Sequence, residues 1–163
     1  MLGYQKGGAM KKLLLITTLF LSSCGILTPP TSSVIIDGVP IVYRSAPLAD
    51  NLVGLAQYFP QHCRITLDLG KINGSYHLAN VLAHEYAHCV DHFKVLQHNG
   101  IANEGIVFGN YFANPVEGYA QFYATDYVNR CGTNISVFKS PFADNIEPPC
   151  DLVDPRSIQP MRP

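Results

Sequence analysis

Residues 75–97 admit few structures other than a long helix. Leu78, Val81, Leu82, Val90, Phe93 and Leu96 recur with a 3.6-residue period, and Asn99-Gly100 supplies a stop. A helix of this kind must lay its apolar stripe on a sheet or on another helix. Upstream, Asp37-Gly38 separates the β-branched runs Val34-Ile35-Ile36 and Val39-Pro40-Ile41-Val42-Tyr43, which predicts a hairpin. Pro40 predicts an edge strand or a bulge for the second arm. Leu48, Leu52, Leu55, Ala56 and Phe59 fall at helical spacing, so the pattern predicts a short helix over 47–58. Residues 64–69 read as a strand, ended by Gly70 and Asn73-Gly74. Asn114-Pro115 opens a second long helix as N-cap and first helical residue, and Gly132 stops it after about Arg130. The expected class is α+β: a small mixed or antiparallel sheet packed on the first long helix, with the second helix beside it.

At 163 residues the chain has room for one domain. Its 11 basic and 12 acidic residues supply no broad positive field, which excludes nucleic acid as a default partner. The N-terminal region carries Lys11-Lys12, a short apolar run from Leu13 to Leu21, and then Ser22-Ser23-Cys24. That run is less than half of what a membrane-spanning helix needs, and the order of parts is that of a secretory signal. Leu21-Ser22-Ser23-Cys24 also resembles a bacterial lipobox, which implies cleavage before Cys24 and acyl chains attached to it. Two or three chains on one residue anchor a protein stably. Lys6-Gly7-Gly8 reads like a translated ribosome-binding sequence, so Met10 is the expected start. Gly25 after the lipid-bearing cysteine resembles outer-membrane sorting, with the domain facing the periplasm. Residues 1–23 are therefore read as signal, 24–33 as a Pro/Ser/Thr tether, 34–140 as the domain, and 141–163, with six prolines, as an irregular tail. Removing residues 1–23 takes away Lys6, Lys11 and Lys12 and no acid, leaving a net charge of −4. Anchoring would then rest on lipid, since the body offers no basic patch to anionic headgroups.

Export agrees with the cysteines. Beyond Cys24, the four that remain suit two disulfides in an oxidising compartment. Three connectivities are open; Cys63–Cys89 and Cys131–Cys150 close the shorter loops and are the pairings expected. A Cys₄ zinc site is disfavoured because no CxxC pair occurs.

The chemistry is concentrated on the first long helix, whose centre reads His84-Glu85-Tyr86-Ala87-His88, an HExxH motif. Residues i and i+4 share a face, so both imidazoles can reach one Zn²⁺ ion. Glu85 sits beside that face, placed to take a proton from a water that the ion has acidified. A third protein ligand is needed. His92 lies about 12 Å along the axis from His84, too far to share the ion. Asp91 suits an outer role, orienting a ligand imidazole through its distal N–H. Glu117, near the start of the second helix, is the best candidate, and the small residues Gly118, Ala120 and Ala124 let that helix lie close. Asn114 and Glu117 also match a capping box, which would use the same carboxylate differently. Glu104 is the fallback ligand. For a group to stabilise an oxyanion, the stripe Tyr119, Tyr123 and Tyr127 reads as packing, while Tyr111 and His98 are freer to reach the site. His62 and His77 read as surface residues.

HExxH, a spacer of a few tens of residues and a helix-borne Glu within NPxExxA resemble the gluzincin branch of the zincin metallopeptidases, its small minimal-fold members most closely. The match covers roughly residues 62–130. The resemblance implies a zincin-like fold, His84, His88 and Glu117 as zinc ligands and Glu85 as catalytic base. It also implies an edge strand that binds extended substrate, by position 64–69. Gln121 stands where thermolysin-like members carry an Asp, so support for the ligands would come from Asp91 or Asp126. The function expected is a membrane-anchored zinc metallopeptidase acting on peptides or proteins of the cell envelope. A zinc-binding lipoprotein without activity and a zinc amidase or esterase are the alternatives, and an intact Glu85 favours a hydrolase over a pure binder.

Overall fold

The Asp37-Gly38 pair forms the tight turn its chemistry favours, with φ of 46° and 79° at the two residues. It joins β1 (Val34–Ile36) to β2 (Val39–Ser45) in an antiparallel hairpin. The computed structural model describes residues 33–94, 115–142 and 148–158. They form a mixed α+β fold, a four-stranded sheet with two long helices packed together. The other strands are β3 (Gly54–Phe59) and β4 (His62–Leu67), and the helices are α1 (Gly74–Lys94) and α2 (Pro115–Cys131). Strand order is β1-β2-β4-β3, with β2 and β4 parallel and the other neighbours antiparallel.

Two expectations change. Residues 54–59 are a strand, and no helix occurs between 47 and 58. The apolar spacing there mimics a helical stripe, but pairing with β4 satisfies the backbone from Gly54 to Phe59, and tertiary pairing outweighs local periodicity. Nor is β2 an edge strand. Pro40 is tolerated because its stretch pairs with β1 alone, and β4 joins only from Ile41 onward.

Residues 46–53, which lead into β3, are braced by a pair of charges. The Lys71 ammonium donates to the carbonyls of Leu48 (2.9 Å), Ala49 (2.6 Å) and Leu52 (3.1 Å), and stands 3.3 Å from Asp68. Asp68 accepts from the backbone N–H groups of Leu48 and Gly70, and these contacts, Leu48 first, hold its carboxyl below the usual carboxylate range. These bonds fix the entry of β3 without a helix.

α1 lies between the sheet and α2. Leu78, Ala79, Leu82, Ala83, Tyr86, Ala87 and Val90 are buried with Ile41, Ile65 and Leu67 of the sheet. On α2, Tyr119, Tyr123 and Tyr127 are fully buried, so the tyrosine stripe is packing: Tyr123 meets Tyr86, and Tyr127 meets Phe138. Gly132, with φ of 61°, ends α2 and donates from its backbone N–H to the carbonyl of Val128. His77 is no idle surface residue, since its Nδ1 accepts from the Asn73 N–H at the start of α1.

The cysteines pair as the loop lengths predict. Cys63–Cys89 ties β4 to α1 with Cα atoms 5.7 Å apart, and Cys131–Cys150 ties α2 to the C-terminal segment at 5.8 Å. That segment carries no helix or strand among its described residues, yet it contributes Val153 to the core. No helix among the described residues is long and apolar enough to cross a membrane. Cys24 and the rest of the signal and tether up to residue 32 lie outside them.

Candidate metal centre

α1 turns His84 and His88 to one face, one helical turn apart, and α2 brings Glu117 against them. The three facing atoms form a nearly equilateral triangle. His84 Nε2 and His88 Nε2 are 3.1 Å apart, and Glu117 Oε2 stands 3.2 Å from the first and 3.4 Å from the second. Among the described residues this is the one group of three or more side chains able to hold a metal ion together. The donor set fits. Two imidazole nitrogens and a carboxylate oxygen bound tetrahedrally at about 2.0–2.1 Å would be separated by about 3.3–3.4 Å. A proton on either imidazole nitrogen can hold the carboxylate at these distances, and a cation among the three atoms would take one lone pair from each. The capping-box alternative for Glu117 involves Asn114, which lies outside the described residues, as do His98, Glu104 and Tyr111.

The electrostatics agree with a built site. Burial alone would raise the Glu117 carboxyl, but bonds from His84 and His88 outweigh it and hold the group far below the carboxylate range. Burial would lower His88; Glu117, Glu85 and Asp91 together reverse the sign and raise it. Asp91 acts on His88 through charge only. The buried His88 Nδ1 has no hydrogen-bond partner among the described residues, so the bond expected from a ligand imidazole N–H to Asp91 is not formed at His88.

Glu85 is buried, 7% exposed, and lies beside the triad in a cleft of about 130 Å³ lined also by Leu52, Gly54, Ala56, Tyr58 and Val116. Burial pushes its carboxyl upward; the charges of His84 and His88 and a hydrogen bond from the Ala56 backbone N–H oppose that shift, while Glu117 adds to it. The Glu85 carboxylate is therefore held from two sides, by its own helix and by β3.

Sequence reasoning missed both residues of β3 that matter most here. Gly54 is needed because β3 passes too close to α1 for a side chain. A Cβ there would stand 2.5 Å from Glu85 Oε1 and 2.7 Å from Val81 Cγ1. Gly54→Ala should therefore displace the Glu85 carboxylate and cost about 1–3 kcal/mol of stability, while leaving the metal ligands in place. Denaturant unfolding beside metal analysis checks this, and unchanged stability with unchanged turnover would contradict it. Tyr58, two positions beyond Ala56 on the same face of β3, was also passed over. A small-x-small-x-aromatic pattern at 54, 56 and 58 was the available signal.

The strand assigned to substrate also changes. β4 (62–67), in place of the expected edge strand 64–69, is hydrogen-bonded on both sides, to β2 and to β3, and has no edge to offer. The edge beside the triad belongs to β3. Since the Val53 carbonyl already pairs with Asp68 N–H, alternation turns the main-chain groups of Gly54, Ala56 and Tyr58 away from β4. No family model, no curated protein and no solved structure matches this chain.

Proposed function

We propose that this protein is a zinc metallopeptidase of gluzincin type, exported and held at a bacterial envelope membrane. The observation that carries the reading is the convergence of His84, His88 and Glu117 within bonding reach of one ion, with the buried carboxylate of Glu85 in the same cleft. His84, His88 and Glu117 would hold the ion. Zinc bound there supplies two effects, acidifying a water molecule and polarising a substrate carbonyl. Glu85 takes the proton of the attacking water and returns it to the leaving nitrogen. A group buried beside three ligand atoms and pinned by Ala56 is a costly arrangement for a pure binding module, and it favours hydrolysis. Among the described residues no further strand pairs with the outer edge of β3. Although its Ala56 N–H is taken by Glu85, that edge favours a peptide over other amides or esters, because an extended backbone can add beside Gly54 and Tyr58.

The test is a digest. Zinc-loaded protein incubated with an unfolded protein should create new termini detectable by mass spectrometry, cleavage should stop with a chelator, and added zinc should restore it. Absence of metal-dependent cleavage across a broad peptide library would remove the peptidase reading.

The secretory signal, Cys24 and the paired cysteines support an exported lipoprotein at the outer membrane, facing the periplasm. Cys24→Ser should move the protein from the membrane fraction to the soluble periplasm. Continued sedimentation with membranes would count against lipidation.

A further inference from the structure

The negative charge that develops on the substrate oxygen in such a site is shared between the ion and a hydrogen-bond donor beside it, and the ligands and base are already committed. Of the other described residues lining the cleft, Leu52, Gly54, Leu55, Ala56, Tyr58 and Val116, only Tyr58 has a side-chain hydrogen-bond donor. Its placement is specific. On β3 the side chains of 54, 56 and 58 share a face, and the position of Gly54 against Val81 and Glu85 shows that this face looks onto α1. Four residues farther along, the Tyr58 ring lies flat on His92, centroids 4.2 Å apart and planes within 8°. Stacking fixes the ring one helical turn beyond His88, while 44% of the residue stays exposed and accessible to substrate.

We propose that Tyr58 is the oxyanion donor of this site, its hydroxyl hydrogen-bonding the substrate carbonyl oxygen as the tetrahedral intermediate forms. This assignment rests on the hydrolase reading above. Water oxygen adds to the carbonyl carbon and the π pair moves to the carbonyl oxygen. Tyr58 holds that oxygen by a hydrogen bond and keeps its own proton. The pair then reforms the carbonyl, the C–N bond breaks, and the proton held by Glu85 goes to the amine. Independently, burial and the carboxylates of Asp91, Glu85 and Glu117 push the Tyr58 phenol up to about 12, so it remains a donor at neutral pH.

The test compares wild type with Tyr58→Phe, which keeps the ring on His92 and removes only the hydroxyl. Zinc content and unfolding midpoint should not change. Turnover of a peptide found by the digest should fall about 10²-fold in kcat with KM nearly unchanged. Affinity for a peptide phosphonamidate, a mimic of the tetrahedral intermediate, measured by calorimetry on the zinc-loaded protein, should weaken by a similar factor. Equal kcat and equal phosphonamidate affinity in the two proteins would overturn the assignment, as would a wild type that binds no phosphonamidate. A wild type that cleaves no peptide, yet binds the phosphonamidate in a Tyr58-dependent way, would sink the peptidase reading and leave the donor in place.

Discussion

Glu85→Gln should retain one metal ion per chain and lose about 10³-fold in peptide hydrolysis. The substitution preserves shape, and the amide oxygen can still accept from the Ala56 N–H, so β3 and α1 keep their contact. Glu85 contributes none of the three converging ligand atoms, and metal content should be indifferent to it. What disappears is a group able to accept a proton, and general-base catalysis is worth about 10²–10⁴-fold. Metal analysis and turnover on the same preparation check both halves. Unchanged turnover in a metal-verified Glu85→Gln would take this residue out of the mechanism.

Glu117→Ala should have the opposite signature, losing the metal and the activity together. Glu117 Oε2 supplies the third corner of the triangle and its only negative charge; two imidazoles on one helix turn remain without it. Loss of an outer partner of a ligand already costs about 10–100-fold in metal affinity, and loss of the ligand itself should exceed that. Competition titration against a fluorescent zinc chelator measures the change. Affinity within a few-fold of wild type would mean that another side chain completes the site.

The parts of this protein legible in its sequence are those that local chemistry determines. α1 follows from apolar periodicity, its two histidines from i, i+4 spacing, the β1–β2 hairpin from Asp37-Gly38, and α2 from Pro115 and Gly132. The disulfides follow from loop length. What was not legible depends on contacts between distant residues. Residues 47–58 carry a helical stripe by coincidence, and only pairing with β4, together with Lys71 and Asp68 clasping the entry, makes β3 a strand. Because 47–58 reads as helical, β4 takes the place of the edge strand, and the edge proposed for substrate falls one strand too far in. The same error hid Gly54 and Tyr58, whose roles exist only because β3 lies along α1 beside the triad. Asp91 bears on His88 through its charge, and the hydrogen bond expected from a ligand imidazole N–H to Asp91 is not made by His88 Nδ1.

Everything proposed for this chain depends on three side chains gripping one ion. The most direct measurement is equilibrium dialysis of the folded protein against zinc at neutral pH, followed by metal analysis, with His88→Ala in parallel. Wild type should hold one zinc per chain and His88→Ala almost none. A folded wild type that emerges without zinc, or a variant that retains the full equivalent, would contradict the account.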